Sequence, residues 1–246
     1  MKNDKKKMIS TKRALQLPLL MLALLTQLAF GQTGYNKVDA SGMKQGQWLK
    51  MWNNGVVKYK GVFKNDKPVG AFNYYYPSGK LKSVMTFSED GSKAHNISYH
   101  ENGKKMAEGD FVNQKKVGVW KYFSDVDGKL VSEENYKNGL LDGKSTTYYI
   151  DEGKPFEVTE YLKGIKNGEW VKYFMDEQIM TRTFYVNGKL DGDFVNYDPN
   201  GTLIVKGQYS EGEMDGTWLY YDEKGKLYRK EVYSKGALVS TDDLDK

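Results

Sequence analysis

The chain has 246 residues, of which 14% are aromatic, with 26 glycines and no cysteine. The absence of cysteine excludes disulfides, thiol catalysis and a lipid-modified cysteine anchor. The formal net charge is +5, but six of the 37 basic residues and one of the 32 acidic residues lie within residues 1–31. The rest of the chain is electrically balanced, which argues against nucleic acid as a partner and against strong binding to anionic membranes.

Residues 1–31 have the pattern of a secretory signal peptide. A basic segment from Lys5 to Arg13 precedes an apolar segment of 14 residues, Leu17 to Phe30, and Ala29-Phe30-Gly31 forms a small-x-small cleavage site. The alternative is an uncleaved N-terminal anchor, although 14 residues fall short of the roughly 20 that span a bilayer. We therefore predict export, to the periplasm, the envelope or the medium. Residues 32–45 are predicted to be a lead-in, either a partial first unit or a cap over the first edge strand.

A glycine followed by an aromatic residue two positions later recurs at steps of 23 to 25 residues. The glycine position is held by Gly46, Gly70, His95, Gly118, Gly143, Gly168, Gly192 and Gly216. A fixed period of this length is typical of repeat proteins, in which each unit packs mainly on its neighbours. Residues 46–239 are therefore predicted to form one repeat array of about eight units.

Each unit reads as a β-hairpin. Alternation with a period of two, as in Phe72-Asn73-Tyr74-Tyr75-Tyr76, indicates strand rather than helix. Turn sequences such as Pro77-Ser78-Gly79 and Asn187-Gly188 separate the strands, and glycine there supplies the positive φ of short hairpin turns. We predict an all-β fold, an elongated, twisted antiparallel meander of about eight hairpins of about 24 residues each. Residues 240–246 are predicted to be a frayed tail.

Two columns of side chains follow from the alignment of the units. Two positions after the glycine stand Trp48, Phe72, Ile97, Trp120, Ser145, Trp170, Phe194 and Trp218; five positions after it stand Met51, Tyr75, His100, Phe123, Tyr148, Tyr173, Tyr197 and Tyr221. The odd offset places the columns on opposite faces of a regular strand. The tryptophan column is predicted to be packed. The second column, from Tyr75 to Tyr221, is the candidate binding ladder, unless strand twist or a bulge brings both columns into one core.

No constellation for catalysis stands out in the sequence. His95 and His100, the two histidines, fall on opposite faces of a strand and have no cysteine to complete a zinc site. Asp125-Val126-Asp127-Gly128 lacks the further acidic ligands of a calcium loop and reads as a turn. We therefore predict no enzymatic activity, no cofactor and no metal.

Tyr-x-Asn-Gly-Lys-Leu-Asp-Gly-x-Phe, from Tyr185 to Phe194, and its sister segments resemble the MORN repeat variant of bacterial proteins, often labelled the YwqK-like antitoxin family. The resemblance spans about residues 36–239. It implies an elongated antiparallel sheet with a scaffolding or partner-binding role, and in some members lipid binding. The antitoxin label would imply a cytoplasmic toxin as partner, which the predicted export contradicts.

The leading functional hypothesis is an exported, non-enzymatic scaffold or adaptor that binds a protein partner in the cell envelope. One alternative is a carbohydrate- or cell-wall-binding array that stacks sugar rings on the tyrosine ladder. Another is an antitoxin-like or lipid-associated protein. Self-association through exposed edge strands is a further expectation of an open sheet.

Overall fold

The computed structural model describes residues 34–244, which form nineteen β-strands and no helix, so this part of the chain has no helix that could span a membrane. The predicted signal peptide lies outside the described residues. The strands are β1 Lys37–Val38, β2 Lys44–Met51, β3 Val57–Lys64, β4 Lys67–Tyr75, β5 Leu81–Phe87, β6 Lys93–Tyr99, β7 Lys105–Val112, β8 Lys115–Phe123, β9 Leu130–Lys137, β10 Leu140–Tyr148, β11 Pro155–Leu162, β12 Ile165–Tyr173, β13 Ile179–Val186, β14 Lys189–Leu190, β15 Gly192–Tyr197, β16 Leu203–Ser210, β17 Glu213–Tyr221, β18 Leu227–Ser234 and β19 Ala237–Asp243.

The strands form one open antiparallel sheet in which each strand pairs with the next along the chain. β14 and β15 both pair with β13 and act as one strand interrupted at Asp191. The strands from β2 to β18 therefore make eight hairpins, with β1 and β19 at the two edges. The predicted all-β meander of hairpin repeats is confirmed.

Consecutive hairpins are joined by tight turns built from residues in the left-handed region. Asn65 and Asp66 have φ of 51° and 63°, and Asn187 and Gly188 have φ of 51° and 85°. Two successive positive φ values give a type I′ turn, whose twist matches that of the flanking strands. The amides of these turns also donate to the preceding turn of the same edge, as Gly188 does to the Lys166 carbonyl at 2.8 Å. The turns thereby link neighbouring hairpins.

The repeated glycine marks a bulge where one hairpin meets the next. β3 pairs Lys60 with Asn73 and Val62 with Val69, so Gly61 alone faces the three residues from 70 to 72 of β4. Gly70 has a φ of 63° there, and Gly118 has a φ of 67° at the matching bulge of β8. Glycine recurs because a side chain would strain this backbone.

The third hairpin corrects our alignment of the repeat. β5 and β6 pair without a register shift, with Phe87 opposite Ala94 and Thr86 opposite His95. Ala94 also faces Phe111 across the hairpin, as Gly70 faces Phe87, so Ala94 and not His95 holds the glycine position. Without a bulge no left-handed residue is needed, and alanine fits. Each later position in this hairpin moves back by one residue.

One face of the sheet, which we call the packed face, carries the column of Trp48, Phe72, Trp120, Trp170, Phe194 and Trp218. Phe72, Trp120 and Trp218 are only 2–3% exposed. Each of these three rings lies over a glycine of the preceding strand, namely Gly61, Gly109 and Gly207, and a Cβ at any of these glycines would overlap the ring. The sheet thus buries its large rings against its own backbone.

Large and small side chains face each other across neighbouring strands on the packed face. Trp170 faces the small Thr159, whereas the small Ser145 faces Glu134 and Asn96 faces Met85. Rings also meet from hairpin to hairpin: Phe72 packs edge-to-face between Phe63 and Phe87, with centroid distances of 5.1 and 5.4 Å. Such ring pairs contribute about 0.5–1.5 kcal/mol each beyond their buried area.

The two ends of the array differ in how their edges are covered. Asn36 bonds across the outer edge of β2, since its amide donates to Gln47 and its side chain accepts from the Leu49 amide, both at 2.9 Å. At the other end, Ser240 to Asp243 belong to β19 rather than to the predicted frayed tail. They stay paired because Arg229 binds Asp243 at 2.9 Å and backbone bonds continue to Leu244.

The ring-over-glycine arrangement makes a prediction for Gly109. Replacing it by alanine forces a methyl group into the Trp120 ring and should lower the free energy of unfolding by about 1–3 kcal/mol, the usual cost of overpacking. Chemical denaturation measures this change. In a Trp120→Leu background the same substitution should cost less, and Gly34→Ala, which has open space around it, should be neutral. Equal effects of Gly109→Ala in both backgrounds would contradict the arrangement.

The tip of the sixth hairpin makes a second prediction. Glu177 has a φ of 69°, in the turn position that glycine takes in the other hairpins. A left-handed conformation costs a residue with a side chain roughly 1 kcal/mol or more. Glu177→Gly should therefore raise the free energy of unfolding by about 1 kcal/mol, measured by the same denaturation. Glu177→Ala keeps the unfavourable φ, so it should gain no such stability; an equal gain from alanine would refute the explanation.

Candidate binding surface

The predicted ladder lies on the face opposite the packed face, which we call the open face. Six of its residues occupy the predicted position and are each partly exposed: Tyr75, Phe123, Tyr148, Tyr173, Tyr197 and Tyr221. Met51, at the start of the column, is 44% exposed. Within residues 34–244, no ladder ring pairs with a ring of the packed face.

A bulge in every hairpin explains why the two columns stay apart. The pairing shifts between Tyr74 and Tyr75, so that Lys82 of the returning strand is an extra residue. The same shift precedes each of the other ladder positions. Because the extra residue is always in the returning strand, the outgoing strand keeps its regular alternation. The ladder therefore points away from the packed rings.

His100 does not belong to the ladder, and this part of the prediction is wrong. With the corrected alignment Tyr99 takes the ladder position, opposite Lys105. The His100 Nε2 instead donates to the Phe123 carbonyl at 3.0 Å. Trp52, Tyr76 and Tyr149 make the same bond to the ladder carbonyl of the next hairpin, at 3.1, 2.8 and 2.9 Å. His100 thus joins the tips of two hairpins.

Sequence reasoning missed the residues that lie between the ladder rings. Each ladder residue pairs across its hairpin with the first residue of the returning strand, and paired residues share a face. These partners are Val57, Leu81, Lys105, Leu130, Pro155, Ile179, Leu203 and Leu227. Together with the ladder they form what we call the apolar stripe. Their signal in the sequence is the residue two positions after the tip glycine, as in Gly79-Lys80-Leu81.

Long charged side chains lie along the stripe. The Lys105 amine is 5.1 Å from the centre of the Phe123 ring, and the Lys60 amine is 5.9 Å from that of Tyr75. Tyr148 donates to Glu133 at 2.9 Å, and Glu133 pairs with Lys121 at 3.2 Å. Burial, and then the bond to Glu133, raises the pKa of Tyr148 to about 12. The stripe is therefore apolar at its centre and charged along its side.

A charged cluster lies on the open face of the third hairpin. The His95 Nδ1 is 2.7 Å from Asp110 and its Nε2 is 3.5 Å from Glu108, which also binds Lys105 at 2.7 Å. The bond from Lys105 lowers the pKa of Glu108. Within residues 34–244, no three His, Asp or Glu side chains are arranged to hold a metal ion. The cluster can pair charges and hydrogen-bond a ligand.

Tyr148 makes a prediction at alkaline pH. An unfolded tyrosine ionises near pH 10, whereas folded Tyr148 keeps its proton to about pH 12. Its contribution to stability is fully present below pH 10 and is lost as the pH rises to about 12. Tyr148→Phe should therefore lose stability less steeply than the wild type over this range. Denaturation at a series of pH values measures it, and parallel curves would contradict the assignment.

Comparisons with known proteins agree with the repeat architecture. Five segments match the MORN repeat variant, at residues 68–89, 95–113, 116–138, 190–211 and 214–235. Each falls on one hairpin. A search of the curated proteins found no match.

Among solved structures, one described as the crystal structure of TarM is 12% identical, with a TM-score of 0.29, over 56% of this chain and 22% of that chain. Another, the crystal structure of TcdB2-TccC3-TEV, is 11% identical, with a TM-score of 0.20, over 79% of this chain and 12% of that chain. This chain thus spans less than a quarter of either. What the comparisons establish is that five of its eight hairpins match the MORN repeat variant.

Proposed function

We propose that this protein is a non-enzymatic scaffold that binds a protein partner through the apolar stripe. The observation that carries the proposal is the stripe itself, which crosses all eight hairpins on the open face. Its rings are half-buried, so each ring is held against the sheet and still exposes part of its surface to a partner. Aromatic side chains of this kind dominate binding energy at protein interfaces, because they bury a large area at low entropic cost.

The residues between the rings favour a protein over a carbohydrate. Sugar rings stack on flat aromatic faces, but here every ring except Tyr99 alternates with an apolar aliphatic side chain such as Leu81, Ile179 or Leu203. Such a surface complements the apolar side chains of another protein. The charged side chains beside the stripe, including Lys60 and Glu133, would form the polar rim of this interface.

The sequence supports a place in the cell envelope for this scaffold. Residues 1–31 carry the pattern of a secretory signal, and the remaining chain is electrically balanced. A balanced surface argues against lipid binding driven by charge. The MORN-type match supports a repeat protein with a binding role, and an antitoxin-like role with a cytoplasmic partner would conflict with export.

Affinity capture tests the proposal. The full chain with a C-terminal tag is expressed in cells, crosslinked and purified, and the captured proteins are identified by mass spectrometry. A variant with Tyr173, Tyr197 and Tyr221 replaced by alanine is treated identically. We expect one protein to be enriched with the wild type and its recovery to fall at least about tenfold in the variant, since each hot-spot ring contributes about 2 kcal/mol.

The matched control changes apolar residues of the same face outside the stripe. Val62 and Val119 are 38% and 47% exposed, and replacing both by serine should leave capture unchanged. Circular dichroism checks that each variant is folded. Retention of polysaccharide in place of a protein would favour the carbohydrate alternative, and equal loss in the control variant would reject the stripe as the site.

A further inference from the structure

The column of rings on the packed face is interrupted at two places. Ser145 and Asn96 stand where other hairpins carry tryptophan or phenylalanine. At Ser145 the chain fills the space with its own side chains. Tyr136 donates to Glu134 at 2.6 Å, and the Lys116 amine lies 4.7 Å from the centre of the Tyr136 ring. This interruption is thus flanked by side chains of neighbouring strands.

Near the interruption at Asn96, which is itself buried, lies a cavity of about 340 Å³. Its apolar lining comes mainly from Tyr74, Met85, Phe87, Ala94 and Phe111. Ligand sites for small molecules have volumes of roughly 300–1,000 Å³ and mostly apolar walls. The cavity is therefore at the lower end of this range, where a single ring system fits.

The lining corresponds position by position to the surroundings of a tryptophan in the next hairpin. Trp120 lies over Gly109, packs on Phe111 at 4.9 Å and has the Lys116 amine at 4.4 Å. One repeat of 24 residues earlier, the equivalent positions all line the cavity: Met85, Phe87, Ser92 and, for Gly118, Ala94. The cavity thus lies beside the place where the fourth hairpin holds an indole ring, because the Met85 side chain stands in the third hairpin where Gly109 lies under the Trp120 ring.

The two phenylalanines beside the cavity each contact one ring of a neighbouring hairpin. Phe87 contacts the Phe72 ring at 5.4 Å, and Phe111 contacts the Trp120 ring at 4.9 Å, both edge-to-face. Within residues 34–244, neither makes a ring contact towards Asn96. By contrast, Tyr209, on the returning strand of the seventh hairpin, lies between Phe194 and Trp218, at 5.7 and 5.1 Å. A ring in the cavity would complete the same arrangement between Phe87 and Phe111.

We propose that this cavity binds a small molecule that carries a planar aromatic ring of indole size. The ring would lie beside Met85 and Ala94, edge-to-face with Phe87 and Phe111. The site is on the packed face, so it is independent of the apolar stripe. A ligand bound there would add an aromatic ring between Phe87 and Phe111.

Titration with indole tests this proposal. Isothermal calorimetry on the purified full chain should give saturable binding with one site per chain. Ala94→Leu places three more carbon atoms in the cavity and should weaken binding by at least about tenfold, by steric exclusion. Ser145→Ala, at the filled interruption, is the matched control and should leave the affinity unchanged.

A second variant and a structural measurement keep the test decisive. Phe111→Leu removes one edge-to-face contact and should weaken binding about two- to tenfold. In nuclear magnetic resonance spectra, bound indole should show contacts to the Phe87 and Phe111 rings. The proposal is overturned if indole shows no saturable binding. It is also overturned if the folded Ala94→Leu and Phe111→Leu variants bind indole as tightly as the wild type, or if bound indole contacts other rings.

Discussion

A sheet without a second layer must find its core on its own surface, and the close contact between a ring and a glycine backbone meets this constraint. Most sheets bury side chains against a helix or another sheet. Here the rings of Phe72, Trp120 and Trp218 lie flat over glycines of the preceding strand, where a side chain would collide with them. The side chains of the core thus all come from one face of a single sheet. This explains why glycine and tryptophan recur together.

This core is periodic, and the period sets how the units depend on each other. A ring in one hairpin packs on rings and glycines of adjacent hairpins, so removing a neighbour exposes part of its core. The bulges serve a related purpose on both faces. One bulge, at the left-handed glycine, brings successive hairpins into register, and the other, before each ladder residue, separates the packed rings from the apolar stripe.

Most of the fold follows from the sequence, because turns and alternation are local properties. The hairpins, their number and the assignment of the tryptophan column to the packed face could all be predicted. The error at His95 arose because this hairpin lacks the bulge, and therefore also lacks the glycine that marks the position elsewhere, although Ala94 keeps the 24-residue step. Leu81 and its equivalents were missed because the extra residue in the returning strand changes which side chains share a face with the ladder.

The hydrogen bonds from side-chain rings to carbonyls at the hairpin tips make the two ends of the sheet differ in mechanical strength. Trp52, Tyr76 and His100 each hold the next hairpin by a side-chain bond. Further along, Asp198 and Asp222 bond the amides of their own turns instead. Tension applied between the two ends would then be resisted unequally. Strands would peel away one after another from β19, whose residues are all exposed, towards the side-chain-linked hairpins near β2.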